Sequence, residues 1–271
     1  MDLGLQGRTA FVAGASSGLG LAVARELVRE GCRVTICSRD LARITAAAEQ
    51  IVVSTGADPA HVLALPCDVT DESSIRETIA RATDTFGPLN ILVTNAGGPP
   101  TGQVDDFEAS DWEAAIRLNL MSTINLTRHA LPSLREAAAA ENPLGRVIMI
   151  SSISAKQPIS TLYLSNVARA GVQGFAKSLA EELGPAGITV NTVLPGYTRT
   201  DRLQNLATSL QARTGRSVAE IEAGWAASSA LKRIGTEDEF AAAVTFLASA
   251  RASFITGVAL SIDGGATKGL L

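Results

Sequence analysis

Seven short runs of β-branched and aliphatic residues recur along the chain, at 9–13, 33–37, 62–67, 91–94, 146–150, 188–194 and 258–262, and longer stretches with helical spacing separate them. The runs are apolar at successive positions instead of alternating. That pattern predicts strands buried on both faces, a parallel sheet with helices packed above and below. The expected class is α/β, a doubly wound seven-stranded parallel sheet of order 3-2-1-4-5-6-7. Pro66 falls inside the third run. Proline has no N–H to give to a central ladder, so that strand is expected at a sheet edge, where this order puts it.

The first helix is legible residue by residue. Gly20, Val23, Ala24, Leu27 and Val28 share one stripe, Arg25, Glu26, Arg29 and Glu30 lie opposite, and Gly31 follows as a left-handed stop. Further helices are expected after Asp40, Asp71, Ser110, Ser160 and Thr236, each a small polar residue able to accept an orphan amide bond. Two stretches break the rhythm, 99–110 and 197–234. The second follows the carboxyl end of the sixth strand, where open α/β sheets bind ligands. It reads as a substrate lid, or else as a helical hairpin on the surface. No repeat or linker composition divides the chain, so residues 1–271 are read as a single domain.

With 46% apolar and 18% charged residues in 271, there is ample material for a core. The net charge of −4 comes with scattered Lys and Arg, leaving no basic stripe for a phosphate backbone, so no nucleic-acid partner is expected. No apolar run is long enough to span a bilayer and the first residues lack the pattern of a secretion signal, so the expectation is a cytoplasmic protein without a membrane partner. Cys32, Cys37 and Cys67 lack CxxC spacing and read as buried thiols. His61 and His129 lie far apart without neighbouring ligands, so no metal is expected.

Between the first strand and the first helix stands Gly14-Ala15-Ser16-Ser17-Gly18-Leu19-Gly20. Glycines there allow positive φ and close backbone approach, and the free amides and dipole of the helix N-terminus favour a pyrophosphate. Ordered motifs follow. They are Cys67-Asp68-Val69, Thr94-Asn95-Ala96-Gly97, Asn119 within Leu-Asn-Leu, Ser151-Ser152, Pro195-Gly196 with Thr200, Ile255-Thr256-Gly257, and Asp263-Gly264-Gly265. With these motifs the chain resembles the single-domain short-chain dehydrogenase/reductase family over nearly its whole length, from Leu5 to Gly265. Ala13 and Thr94 replace that family's usual Thr and first Asn.

The resemblance implies a Rossmann fold and a dinucleotide held by Gly14, Ser16, Ser17, Gly18, Leu19 and Gly20. It brings Asp68 and Val69 to the adenine, Asn95, Ala96 and Gly97 to the cofactor wall, and Pro195, Gly196, Thr198 and Thr200 to the nicotinamide amide. It also implies a homodimer or homotetramer built on the helices near Ser110 and Ser160, with the apolar segment 267–271 able to reach a neighbour. The second strand ends Ser38-Arg39, where an NAD-selective site would place an acid. Ser38 can donate to a 2′-phosphate and Arg39 can pair with it, so NADP(H) is favoured over NAD(H), with Asp40 left to cap the next helix.

The family's Tyr-x-x-x-Lys is missing. Tyr163 is followed four residues on by Val167. Aligning through Gly174-Phe175-Ala176-Lys177 puts Ser165 at the Tyr position and Arg169 at the Lys position, with the family's interval from Ser152 retained. Two groups one helical turn apart survive while both chemistries change. A phenol titrates near pH ~10 and can be tuned downward, but an aliphatic hydroxyl cannot, so Ser165 is a poor direct acid. Arg169 can hold ribose hydroxyls and add positive charge but cannot relay protons as Lys does.

Other proton sources are Tyr163 if the helix starts loosely, water relayed from Ser152 or Asn119 through Ser165, and Lys156. Two functions remain open. One is an NADP(H)-dependent oxidoreductase acting on a small or acyl-chain carbonyl or alcohol, 3-oxoacyl thioesters among them. The other is a non-catalytic NADP(H)-binding sensor or assembly subunit.

Overall fold

The computed structural model describes residues 2–269. In chain order the elements are β1 (Thr9–Ala13), α1 (Gly18–Arg29), β2 (Arg33–Ser38), α2 (Leu41–Thr55), β3 (Val62–Pro66), α3 (Glu72–Phe86), β4 (Ile91–Thr94), α4 (Ala109–Ile116), α5 (Ser122–Ala138), β5 (Gly145–Ile150), α6 (Tyr163–Leu183), β6 (Ile188–Pro195), α7 (Asp201–Thr214), α8 (Val218–Ser228), α9 (Glu237–Ala248) and β7 (Ala259–Ile262). All seven strands pair in parallel, in the order β3-β2-β1-β4-β5-β6-β7. Pro66 ends the edge strand opposite Ser38, where its missing N–H costs no central ladder bond.

Each face of the sheet carries its own apolar layer. Leu27, Ile44 and Val244 bring α1, α2 and α9 onto one face, and Ile75, Leu126 and Val172 bring α3, α5 and α6 onto the other. Strands covered on both sides must be apolar throughout, and β1, β4 and β5 are buried at every residue. The stripe expected for α1 is buried, and Leu21 and Ala22 are buried with it because α9 packs against a second flank of the helix. Gly31 adopts φ 83°, as expected of a left-handed stop.

Asp40, Asp71 and Thr236 cap α2, α3 and α9 by accepting backbone N–H groups. The other two helix starts differ from expectation. α4 begins at Ala109 behind Glu108, whose backbone N–H donates to Asp111 Oδ2 at 2.9 Å, and α6 begins at Tyr163 behind Leu162. Between α4 and α5 the helix widens into a π turn, Arg117–Met121. The stretch 197–234 folds into α7 and α8, tied at its base by Gly235 N–H donating to Tyr197 O and Arg199 N–H donating to Gly235 O. Of the segment 267–271, residues 270 and 271 lie outside the described residues. No helix among the described residues is long and apolar enough to cross a membrane.

Candidate cofactor and active site

The carboxyl ends of β1, β2, β4, β5 and β6 open into one cleft of about 1180 Å³, closed on its far side by the first turns of α7. Connections at that edge of a parallel sheet are free to vary without disturbing the strands, so ligand sites gather there. The cleft takes in Gly14, Ser16, Ser17, Gly18, Leu19, Ser38, Arg39, Asp68, Val69, Asn95, Ala96, Gly97, Ser152, Ser165, Arg169, Pro195, Gly196, Thr198 and Thr200. Gly20, Asn119 and Tyr163 are not on its wall.

The glycines of the turn do different work. Gly18 has φ 62°, which side-chain-bearing residues rarely adopt, and it presents its bare backbone beside Thr200. Gly20 serves packing, since a Cβ there would stand 2.5 Å from Gly14 O and 2.9 Å from Asn95 Nδ2. Asn95 Nδ2 donates to Gly14 O at 3.0 Å, pinning the turn to the end of β4. The first turn of α1 has no acidic residue, and Ser17 makes no side-chain cap. The helix therefore offers its N-terminal amides to an anion, and this cradle fits a diphosphate.

At the end of β2, Ser38 Oγ donates to Asp40 O at 3.2 Å and Asp40 accepts from Arg43 N–H at 3.1 Å, the capping role expected of Asp40. Arg43 lines the cleft beside Arg39, a second cation the sequence reading missed; its place four residues after Arg39 was the available signal. No carboxylate among the described residues forms an ion pair with either. Asp68 is fixed by Thr70, whose N–H and hydroxyl both donate to its Oδ1, at 2.9 and 2.7 Å. All three cysteines are free and buried. Burial pushes the Cys32 thiol up to about 12. The neighbouring thiols of Cys37 and Cys67 oppose each other: Cys67, on the cleft wall, is lowered by Cys37 and then by Thr78 and Ser74, while Cys37 is driven up by Cys67 and by burial.

Asn119 sits in the π turn, almost wholly buried. Its Nδ2 donates to Gly97 O at 2.6 Å, while its Oδ1 has no partner. A π turn displaces a side chain from regular helical register, and such turns recur at functional sites. Ser152 caps the turn after β5 by accepting from Ser154 N–H at 3.1 Å. Ser165 and Arg169 point from the same side of α6 into the cleft. The Ser165 hydroxyl is 3.3 Å from that of Ser154, a buried residue the sequence reading did not single out, because the family interval pointed to Ser152.

Tyr163 is the first residue of α6 and is exposed, away from the cleft wall. Lys156 is an exposed residue at the end of the short turn after β5, also off the wall. Arg169 is buried. Its Nη1 donates to Ile150 O at 2.7 Å and its Nη2 to Ala96 O at 3.4 Å, while Nε has no partner. Desolvation, with help from nearby Arg202, lowers it to about 10, which leaves it cationic at neutral pH. Arg169 Nε and Asn119 Oδ1 are both buried without a hydrogen-bond partner, Arg169 on the cleft wall and Asn119 off it.

From the 197–234 stretch, Tyr197, Thr198, Asp201, Arg202, Leu203 and Leu206 reach the cleft, and Tyr197 stacks on Trp225 with ring centroids 5.1 Å apart, anchoring α8 to the base of α7.

Sheet order, glycine turn and cleft together define a short-chain dehydrogenase/reductase. The chain belongs to this family: residues 14–267 match the family model described as Enoyl-(Acyl carrier protein) reductase. It is 33% identical to Nodulation protein G of Azospirillum brasilense over 258 residues, 95% of this chain and 97% of that protein. It is 30% identical to the NADPH-dependent reductase BacG of Bacillus subtilis over 263 residues, 97% and 99% of the two chains. The crystal structure of L-sorbose reductase from Gluconobacter frateurii, complexed with NADPH and L-sorbose, superposes over 100% of both chains with a TM-score of 0.91 at 30% identity.

Proposed function

We propose that the protein is an NADP(H)-dependent oxidoreductase that interconverts a carbonyl and an alcohol, with Ser165 and Arg169 in place of the family's Tyr and Lys. One observation carries the reading: Ser165 and Arg169 face the same cleft as the glycine turn, from one side of α6. The BacG reductase is described as NADPH-dependent and the sorbose reductase was crystallised with NADPH, which supports the choice of dinucleotide already suggested by Ser38 and Arg39. Asn95, Ala96 and Gly97 would form the cofactor wall, and Arg169, which lines the same cleft, would stand beside the ribose. The bound dinucleotide supplies or accepts the hydride.

The chain's own groups then handle the oxygen. The Ser165 hydroxyl, paired with Ser154, hydrogen-bonds the carbonyl oxygen, and Arg169 adds fixed positive charge where negative charge develops. The proton comes from water at this hydroxyl pair. Without a tunable phenol, the rate falls by about 10²–10⁴-fold relative to a site with a matched general acid. The α7–α8 hairpin serves as the substrate lid. Exposed Met121 and Val167 support an oligomer face on the α5–α6 side, which sedimentation tests.

NADPH oxidation over a panel of ketones, aldehydes and β-ketoacyl thioesters tests the activity, and turnover that is slow but above background is expected. Absence of turnover across the panel overturns it. The double variant Ser165→Tyr/Arg169→Lys should raise the rate. Loss of the phenol favours a second reading, binding without turnover as a sensor or assembly subunit. Tight NADPH binding with no reaction in any variant would select it.

A further inference from the structure

Resting on the reductase reading, we infer that the substrate carries a carboxylate, and that Arg202 on the first turn of α7 is the residue that selects it. The family motif ends at Thr200, and nothing in the sequence points to Arg202. The fold brings it across the cleft to the loop after β4, where Nη1 donates to Gly98 O at 3.1 Å. A Cβ at Gly98 would overlap the guanidinium, so this glycine is what lets Arg202 settle there. Guanidinium has five N–H donors, and this is its one hydrogen bond among the described residues.

Charge accounting gives the ligand's sign. Arg202 and Arg169 share the β4 loop, one on Gly98 and the other on Ala96, and neither pairs with a carboxylate among the described residues. Asp201 lines the same cleft but makes no ion pair with Arg202. Arg202 lies near enough to Arg169 for their charges to oppose each other, and an anion placed between the two guanidiniums would be favoured by both.

The sheet order separates this anion from the dinucleotide's own phosphates. The diphosphate cradle lies at the end of β1 and the 2′-phosphate groups at the end of β2; Arg202 leaves α7 two residues after Thr200, which neighbours Gly18 of that cradle, but its guanidinium is carried to Gly98 on the β4 loop, as that of Arg169 is to Ala96 and Ile150, on the other side of β1. Ser165 stands one helical turn before Arg169 on the side of α6 that lines the cleft, so a carbonyl held at Ser165 and an anion held at Arg169 would be a few atoms apart, as in a 2-oxo or 3-oxo acid. In the reaction the carbonyl carbon gains a hydride from NADPH, its oxygen gains a proton from water, and the products are the hydroxy acid, NADP⁺ and a hydroxide that bulk solvent neutralises. The carboxylate is unchanged throughout.

The test uses the full-length protein saturated with NADP⁺ and titrated by calorimetry with straight-chain 2-hydroxy and 3-hydroxy acids and their methyl esters. A charge-assisted, two-pronged contact predicts that at least one acid binds about 10- to 100-fold more tightly than its ester. Arg202→Gln should erase that preference while NADPH affinity stays within about threefold, and Arg202→Lys should keep part of it. Equal binding of acids and esters overturns the inference. So does a fall in NADPH affinity in Arg202→Gln as large as the fall for the acid, which would assign Arg202 to the cofactor phosphates. Arg202-dependent acid binding with no NADPH oxidation would leave this inference standing and bring down the reductase reading alone.

Discussion

Substituting alanine at Gly20 and at Gly18 of the phosphate turn separates packing from binding. At Gly20 the new Cβ would meet Gly14 O at 2.5 Å and Asn95 Nδ2 at 2.9 Å, and the first of these is backbone that no rotamer change can move. Relieving the overlap forces α1 away from β1 by several tenths of an ångström, an overpacking cost of about 1–3 kcal/mol. It also loosens the Asn95–Gly14 bond, worth about 0.5–1.5 kcal/mol. Alanine's better helix propensity returns up to about 1 kcal/mol. The net loss, about 0.5–4.5 kcal/mol, lowers Tm by roughly 2–4 °C per kcal/mol in a chain of this size.

At Gly18 no atom lies closer than 3.7 Å to the added Cβ, so Gly18→Ala pays only the strain of φ 62°, about 1–2 kcal/mol. Its methyl group stands between the turn and Thr200, where the diphosphate would lie, so NADPH affinity should fall at least about tenfold. Urea denaturation and NADPH titration of both variants make the comparison. A Gly20→Ala protein with unchanged denaturation midpoint and unchanged affinity would refute the reasoning.

Arg39→Asp should weaken NADPH binding by about 10- to 100-fold while improving NADH binding, read as the ratio of the two dissociation constants, since it replaces the 2′-phosphate partner with a ribose-hydroxyl acceptor. Glu239, held down to about 2 by Arg233 and then by the Thr236 N–H, stabilises the fold fully above its unfolded value of 4.5. That contribution is lost as pH falls toward 2. The Tm advantage of the wild type over Glu239→Gln should therefore be present at neutral pH and shrink through this acid window in a thermal-unfolding series. Cys67 lines the cleft and its thiol is lowered, whereas Cys32 lies off the cleft wall and is pushed up to about 12 by burial, so iodoacetamide should alkylate Cys67 first and saturating NADPH should slow that reaction; mass spectrometry of timed samples reads both rates.

The strands were legible because burial on both faces favours short runs rich in β-branched and aliphatic residues; the apolar run Phe240–Val244 of α9 differs in being mostly alanine, which favours helix. Pro66 marked the sheet edge for the same kind of reason, a missing donor. The caps at Asp40, Asp71 and Thr236 were legible because a capping bond spans only two or three residues. The glycine turn and its cofactor chemistry followed from local backbone requirements. Helix starts failed where the cap is not a small polar residue, at Glu108 ahead of α4 and at Leu162 ahead of α6.

What tertiary structure alone decided are contacts between segments far apart in the chain. Ser154 meets Ser165 across eleven residues, Arg169 reaches back to Ile150 and Ala96, and Arg202 crosses 104 positions to Gly98. Period and propensity describe a residue's neighbours along one element. The charge balance of a cleft depends on which elements the sheet order brings to its rim, and that order is set by the packing of the whole chain.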